Sequence, residues 1–390
     1  MEVYLDHAAT TYTDKRVLDV MRPFFEETYG NAASLHGFGR GAQKAILKAR
    51  EQTAAAIGAQ TDEIYFTSGG TESDNWAIKG VAELAGKGHI ITTAIEHHAV
   101  LDTCDYLKSR GFDVTFLPVD VSGQLSAKAV EEAIRPDTIL ISVMFANNET
   151  GVLMPIPEIS KIARENDVLF HTDAVQAVGH MPIDVNALDI DLLSMSAHKF
   201  YGPKGVGALY IRRGVSIGRF MHGGAQEKGL RAGTLNTPGV VGLGAAAEIA
   251  VKDMQENEKH ERTLARRLAD GLLTLPETRQ NGGESEKLPG HVNITFGGIE
   301  AEALMTYLDL DGIAVSTGSA CTSGSLKPSY VLRAMGLSIE DARGSIRMTV
   351  GRENTIEQID WVIQTTKAAV ERLRELSPLF AQHKGEKTYV

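Results

Sequence analysis

The chain has 390 residues, of which 43% are hydrophobic and 23% are charged, proportions that are typical of a globular protein in water. No apolar stretch is long enough to cross a bilayer and the sequence shows no basic, apolar leader, so we expect a cytoplasmic protein without a membrane anchor. The formal net charge of -11, from 39 basic and 50 acidic residues, argues against a surface that coats nucleic acid, and we expect no direct nucleic-acid binding.

The first half of the chain predicts an α/β fold. From about residue 63 to residue 211, β-rich runs alternate with helix-like segments, which indicates a mostly parallel, seven-stranded sheet flanked by helices. The runs are residues 64–67, 89–93, 114–117, 139–145, 168–172, 192–196 and 208–211. Ligands of such sheets bind beyond the carboxyl ends of the strands, where this sequence places polar side chains: Ser68, His97, Asn148, Asp173 and His198.

The second half of the chain predicts a smaller α+β domain. Apolar residues at helical spacing from Pro238 to Leu275 indicate a long helix that bridges two domains, and a final helix is expected from Ile356 to Leu376. A chain of this length exceeds one ordinary core. We therefore expect a large domain over residues 14–255 and a small domain built from residues 1–13 and 256–390.

A lysine and an aspartate at the ends of two buried runs indicate a cofactor. Lys199 follows the run that ends at Ser196, and Asp173 follows the run over residues 168–172, with Gln176 three residues later. A buried carboxylate needs a cationic partner. Pyridoxal phosphate requires a lysine for its Schiff base and a carboxylate that faces its ring nitrogen, so this one ligand explains both residues.

A glycine-containing turn over residues 66–75 predicts a phosphate site. It leads from a strand through Gly69 and Gly70 into a helix, which places free backbone N–H groups and the Thr71 hydroxyl at a helix N-terminus. Ordinary helix capping is the alternative. Ser196 and His198, which add donors beside the lysine, favour the phosphate interpretation.

Histidines 97 and 98 lie at the same predicted edge of the sheet. An imidazole at His97 could stack on a flat cofactor ring or transfer protons, whereas we interpret His98 as a hydrogen-bonded structural residue. A zinc site is the competing interpretation. It is not favoured, because the sequence has no second histidine at i+4 and no paired cysteines.

The two cysteines occupy different settings. Cys104 lies in a predicted helix, where a free cysteine is usually a small buried hydrophobe, whereas Cys321 lies in a glycine- and serine-rich segment over residues 316–328 that suits an accessible nucleophilic thiol. An incidental surface cysteine is the alternative.

Arg347 interrupts the apolar run 346–350 and needs an anion there, either a substrate α-carboxylate or a neighbouring Asp or Glu.

Taken in order, these motifs resemble those of the cysteine desulfurases of the NifS and IscS type, within the class V aminotransferases of pyridoxal phosphate fold type I. The resemblance extends over nearly the whole chain. The matching segments are residues 4–11, 30–36, 67–75, 96–97, 147–151, 171–176, 196–199 and 231–234, together with the Cys321 segment.

The resemblance implies a role for each site residue. Lys199 would bind the cofactor covalently, Asp173 would pair with the pyridinium nitrogen, and Gln176 would bond the ring oxygen. The cofactor phosphate would be held by Gly70, Thr71, Ser196 and His198, and by Thr234 from the second subunit of a homodimer. The remaining residues would act on the substrate: His97 by stacking on the ring and moving protons, Asn148 and Arg347 by holding the carboxylate, and Cys321 as the nucleophile.

The implied reaction converts L-cysteine into L-alanine and leaves a persulfide on Cys321, which a separate acceptor protein then receives. The usual acceptors are an iron–sulfur scaffold and carriers for tRNA or cofactor thiolation, and residues 376–380 resemble the tail that docks the scaffold. Two alternatives remain open. One is a selenocysteine lyase or another pyridoxal phosphate-dependent reaction of an amino acid, and the other is a sulfur-transfer docking protein with a vestigial cofactor site.

Overall fold

The protein is described from a computed structural model that covers residues 1–317, 328–377 and 380. Its strands are β1 (Val3–Tyr4), β2 (Ile64–Thr67), β3 (His89–Thr93), β4 (Asp113–Leu117), β5 (Thr138–Ser142), β6 (Leu169–Asp173), β7 (Leu192–Ser196), β8 (Gly207–Ile211), β9 (Thr278–Gln280), β10 (His291–Phe296), β11 (Ile313–Ala314) and β12 (Ser345–Thr349).

Twelve α-helices occur within the described residues. They are α1 (Lys15–Met21), α2 (Pro23–Glu26), α3 (Gly37–Ala55), α4 (Gly70–Ala85), α5 (His98–Ser109), α6 (Ala127–Ala133), α7 (Ile156–Glu165), α8 (Thr237–Leu272), α9 (Ala301–Leu310), α10 (Tyr330–Ala334), α11 (Ile339–Arg343) and α12 (Ile356–Leu376). None of the helices in the described part of the chain is long and apolar enough to cross a membrane.

The large sheet has seven strands in the order β2-β8-β7-β6-β5-β3-β4. The pairs from β4 through to β7 are parallel, and β8 is antiparallel to both β7 and β2. All residues of β3, β7 and β8 are buried, as expected for strands covered by helices on both faces. The predicted fold class, with its mostly parallel seven-stranded sheet, is confirmed.

The strand bounds differ slightly from those of the sequence patterns. The apolar run predicted over residues 139–145 is longer than β5, which ends at Ser142. The backbone beyond Ser142 still bonds to the chain at β6, since Val143 N donates to His171 O and Phe145 N donates to Asp173 O. Apolar composition therefore marks the buried stretch, whereas regular pairing ends earlier.

The C-terminal half contributes a second apolar core. A three-stranded antiparallel sheet in the order β12-β10-β9 and a parallel pair of β1 with β11 surround it. Helix α8 contributes to both cores, with Val240 and Leu243 in the first and Leu264 and Leu268 in the second. The domain boundary expected at residue 255 falls inside this helix.

The N-terminal segment over residues 5–14 connects the second core to the end of β7. Near its start, Leu5 N donates to Ala314 O and Leu5 O accepts from Thr349 N. Further along, Thr11 N donates to His198 O at 2.9 Å. The segment therefore lies against the residues that follow β7, far away in sequence.

Candidate active site

Lys199 ends a short 3₁₀ helix, Ala197–Lys199, which follows β7 directly. Its Nζ donates to the carbonyl oxygen of Ala8 at 2.5 Å and to that of Ala9 at 2.9 Å. Gln176 reaches the same segment, because its Nε2 donates to Ala8 O at 3.0 Å. The N-terminal segment thus brings two of the predicted cofactor residues to one point.

Asp173 is the last residue of β6, and its carboxylate is buried. Its Oδ1 accepts a hydrogen bond from Val175 N at 2.9 Å. Burial raises the pKa of Asp173, and the charges of His97 and Lys199 oppose that shift. A buried carboxylate of this kind, near the lysine that would bind the cofactor, suits the ring nitrogen of that cofactor.

A buried polar layer lies next to Asp173. His171 Nδ1 is 2.8 Å from Ser142 Oγ, its Nε2 is 3.0 Å from Ser194 Oγ, and Asp74 Oδ1 lies 3.7 Å from the same Nε2. Burial lowers the pKa of His171 to about 3, so the ring is neutral near pH 7. Burial and the nearby Asp173 raise the pKa of Asp74 well above its usual range.

Sequence reasoning missed this layer, and one signal could have revealed it. Polar residues that interrupt apolar strand runs, such as Ser142, His171 and Ser194, must find partners when the strands are buried. Their pairing could not be read from the sequence, because it depends on the strand order β5-β6-β7.

The predicted phosphate turn forms the uncapped N-terminus of α4. Gly69 stands at the N-cap position, and no side chain in the described part of the chain caps this helix. A Cβ atom on Gly70 would lie 2.5 Å from Val175 Cγ2, and one on Gly69 would lie 3.6 Å from Ser196 Oγ. The N–H groups of the first turn and the Ser196 hydroxyl are therefore neighbours, an arrangement of donors that suits a phosphate, and Thr71 in the same turn is exposed.

His198 and His97 are both held in defined orientations. His198 Nδ1 lies 3.1 Å from Thr10 Oγ1, and burial together with the charge of Lys199 lowers its pKa to about 4. His97 forms the N-cap of α5, where its Nδ1 accepts from Ala99 N at 3.1 Å. Burial lowers the pKa of His97, so a neutral ring with its proton on Nε2 fits these contacts.

Arg347 lies in β12 with only 3% of its surface exposed. Its Nη2 donates to Asp6 Oδ1 at 2.7 Å, and its Nη1 donates to the carbonyl oxygen of Asn148 at 2.9 Å. Its Nε is buried and has no hydrogen-bond partner among the described residues. The ion pair that the sequence left open is thus present, and one donor of the guanidinium is still unused.

Sequence reasoning also missed Asp6, because 341 residues separate it from Arg347. Asn148 Oδ1 is likewise buried without a partner in the described part of the chain. The two residues predicted to hold a substrate carboxylate are therefore in contact, through the guanidinium of Arg347 and the backbone carbonyl of Asn148.

Cys321 lies outside the described residues, and so does part of the predicted docking tail, residues 378 and 379. The described residues that flank Cys321 in sequence contact residues of the site. Ser316 pairs with Arg347 through two backbone hydrogen bonds of 3.1 and 2.7 Å, and Ser329 donates to Glu149 Oε2 at 2.5 Å. Thr234 is exposed, on the loop that follows Arg231.

Comparison with known proteins places these features in a family. The family model described as "Aminotransferase class-V" matches residues 3–362. The protein named cysteine desulfurase IscS of Methanosarcina thermophila is 54% identical over 379 residues, which cover 97% of this chain and 94% of that protein. The protein of the same name from Clostridium botulinum is 51% identical, with 99% and 98% covered.

Solved structures agree with this assignment. A structure titled "NIFS-LIKE PROTEIN" has a TM-score of 0.89 and 42% identity, and the match covers 96% of this chain and 99% of that one. A structure titled "SspA in complex with cysteine" has a TM-score of 0.81 and 40% identity, with 90% and 100% covered. The chain therefore belongs to the class-V aminotransferase family, among the cysteine desulfurases of the IscS and NifS type.

Proposed function

We propose that this enzyme removes sulfur from L-cysteine with pyridoxal phosphate bound at Lys199, releases L-alanine, and leaves a persulfide on Cys321. The relatives named cysteine desulfurase support this reaction over nearly the whole chain. The observation that carries the assignment is the convergence of Lys199, Asp173 and the uncapped start of α4 at one edge of the large sheet.

The residues present fit the cofactor. Its phosphate would bind the first N–H groups of α4 with Gly70, Thr71, Ser196 and His198, and Thr234 of a second subunit would complete the site. Asp173 would pair with the ring nitrogen, Gln176 would bond the ring oxygen, and His97 would stack on the ring. When bound, the cofactor accepts the electron pair left behind when the Cα proton of the substrate is removed.

Arg347 and Asn148 would hold the substrate by its carboxylate. The Arg347 Nε is a buried, unused donor, and a planar guanidinium binds a carboxylate through two parallel hydrogen bonds. A buried donor without a partner carries a free-energy penalty that a bound carboxylate would relieve. Asn148 bonds Arg347 through its backbone carbonyl, and its side-chain amide N–H groups would donate to the same carboxylate.

Two further groups complete the chemistry. The amine of Lys199 would take the proton from Cα as the general base once it is released from the cofactor. The Cys321 thiolate would then attack the substrate sulfur: an S–S bond forms, the Cβ–S bond breaks, and its electron pair stays with Cβ, which takes up a proton. Return of a proton to Cα would then give alanine.

A homodimer is part of the proposal. Leu35 is 92% exposed, and large apolar side chains near it in sequence, Phe25, Tyr29 and Phe38, are also exposed. An apolar surface of this kind is typical of a protein–protein interface.

We further propose a cytoplasmic location and transfer of the sulfur to an acceptor protein for iron–sulfur cluster assembly or for thiolation of tRNA or cofactors.

The test is an intact-mass measurement on the cofactor-loaded enzyme after addition of L-cysteine, with alanine measured in the same tubes. The wild-type enzyme and Cys104→Ser should each gain about one sulfur atom and release alanine, whereas Cys321→Ser should gain none. Lys199→Ala should lose the visible absorption band that borohydride bleaches in the wild type. Alanine release without sulfur on Cys321 would contradict the role of the thiol. If the Cys321→Ser variant turned over L-selenocysteine faster than L-cysteine, that result would favour a selenocysteine lyase.

A further inference from the structure

We infer that Asp6 is a positioning residue for the substrate: it holds the guanidinium of Arg347 so that the Nε edge faces the carboxylate of the amino acid. This inference rests on the proposed function. It adds a residue that touches neither the cofactor nor the reacting atoms and that acts through Arg347.

The hydrogen bonds of Arg347 define which edge of the guanidinium is free. The group has five N–H donors, and the described contacts use one on Nη1, toward Asn148 O, and one on Nη2, toward Asp6 Oδ1. Two partners on different nitrogens fix the plane of the guanidinium. The donors that remain include Nε–H, on the edge of the guanidinium that Nε shares with Nη2.

The Nε atom indicates that this edge is built for a ligand. It is buried, has no partner among the described residues, and belongs to a side chain that is 3% exposed. Buried donors are nearly always paired in native proteins, so an unpaired one calls for an explanation. A carboxylate on the Nε edge would supply that partner while Asp6 stays in place on Nη2.

Asp6 is itself held rigidly. Its backbone forms an isolated parallel bridge with Thr349, two residues beyond Arg347 in β12, and Ala8 N donates to Thr349 Oγ1 at 2.9 Å. The same stretch of chain supplies the carbonyl oxygens of Ala8 and Ala9 that bind Lys199. Residues 6–9 therefore link the carboxylate-binding arginine to the cofactor lysine through a short, pinned segment.

Two simpler roles for Asp6 make different predictions. If Asp6 were only a counter-ion, it would neutralise the buried guanidinium without affecting substrate affinity once the protein is folded. If Asp6 were a competitor, it would occupy the place of the substrate carboxylate, so removing the charge of Asp6 would strengthen substrate binding. Because Asp6 uses Nη2 and leaves Nε free, the geometry favours the positioning role.

The experiment compares Asp6→Asn and Asp6→Glu with the wild type as cofactor-loaded enzymes. We expect Asp6→Asn to raise KM for L-cysteine roughly fivefold with kcat nearly unchanged, because a poorly oriented guanidinium binds the carboxylate less well. Calorimetric binding of L-alanine should weaken by the same factor, whereas binding of alaninamide, which lacks the carboxylate, should not change. Asp6→Glu should recover part of the loss.

The matched control is Asp360→Asn, which removes a carboxylate from an exposed pair with Arg267 and should leave every value unchanged. An unchanged KM in Asp6→Asn would reduce Asp6 to a counter-ion, and a lower KM would make it a competitor. Equal weakening of L-alanine and alaninamide would mean general damage to the site. Each of these results overturns the inference, whereas failure of the wild type to release alanine would overturn the proposed function instead.

Discussion

The hydroxyl of Ser329 donates a hydrogen bond to Oε2 of Glu149 over 2.5 Å, and both side chains are buried. Glu149 adjoins Asn148, and Ser329 is the N-cap of α10, close behind the segment that contains Cys321. The neighbouring Tyr330 hydroxyl donates to Glu96 O at 2.5 Å. The chain that leads out of the cysteine segment is thus anchored to Glu149, the neighbour of Asn148, and to Glu96, the neighbour of His97.

Loss of this anchor should slow sulfur transfer to Cys321. We expect Ser329→Ala to reduce the rate of persulfide formation roughly tenfold, because attack on the substrate sulfur depends on close positioning of the thiol. Rapid-quench mass spectrometry measures that rate, and the absorption band of the bound cofactor should not change.

Ser338→Ala is the control for this experiment. Ser338 is an exposed N-cap serine whose Oγ accepts from Asp341 N at 3.0 Å, so the variant loses a helix cap without touching the site. If both serine variants slowed the reaction equally, the anchor would have no special role.

Gly70→Ala should weaken cofactor binding. The added methyl group would lie 2.5 Å from Val175 Cγ2, so α4 or Val175 must shift where the phosphate is proposed to bind. We expect the dissociation constant of pyridoxal phosphate, measured by absorbance, to rise at least roughly tenfold. In Gly37→Ala the new Cβ has only an arginine side-chain atom within 4 Å, at 3.7 Å, and the constant should not change. Unchanged affinity in both variants would contradict the phosphate assignment.

Buried His171 should make the protein acid-sensitive. Its pKa is about 3 in the folded state against 6.5 as the ordinary value, so below pH 6.5 the unfolded chain binds more protons and the folded state loses stability. The contribution of neutral His171 to the stability of the folded state is complete above pH 6.5 and is lost as the pH falls toward 3. Between pH 7.5 and pH 5, it should decrease by about 2 kcal/mol.

His171→Asn removes this titration, so the measurement is the difference in free energy of unfolding between the wild type and the variant in urea. That difference should narrow by about 2 kcal/mol on going from pH 7.5 to pH 5. Comparing the two proteins cancels the opposite contributions of buried acids such as Glu96, whose pKa burial raises to about 8. If the difference in free energy of unfolding did not change with pH, His171 would have the same pKa in the folded and unfolded states.

The two cysteines should differ sharply in reactivity. Cys104 is fully buried in α5, and burial raises its pKa to about 12, so it carries almost no thiolate at neutral pH. Iodoacetamide should therefore modify the native protein once, at Cys321, and the urea-unfolded protein twice. Peptide mapping identifies the site. If iodoacetamide modified Cys104 of the native protein at a rate within roughly tenfold of the rate at Cys321, the argument from burial would be wrong.

Leu35→Asp should disrupt the proposed homodimer. A charge on a side chain that is 92% exposed costs the single chain little, but it would be buried in an apolar interface. Light scattering should show the wild type as a dimer and the variant as a monomer at micromolar concentration. Leu310→Asp is the control, because Leu310 is 81% exposed at the end of α9. A monomeric wild type, or equal effects of both variants, would contradict this interface.

Local patterns along the chain predict the large sheet and place polar side chains after the carboxyl ends of its strands. Apolar runs and glycine turns are local signals, so the strands that lead to Asp173 and Ser196 and the glycine turn before α4 could be predicted, and the order of the motifs was enough to recognise the family.

Which distant groups pair depends on how the elements pack together. The bond from Arg347 to Asp6, the carbonyl oxygens that bind Lys199, and the buried contacts of His171 join residues whose separation in sequence carries no local pattern. Burial keeps His171 neutral near pH 7, and burial exists only once strands and helices from distant parts of the chain have packed together.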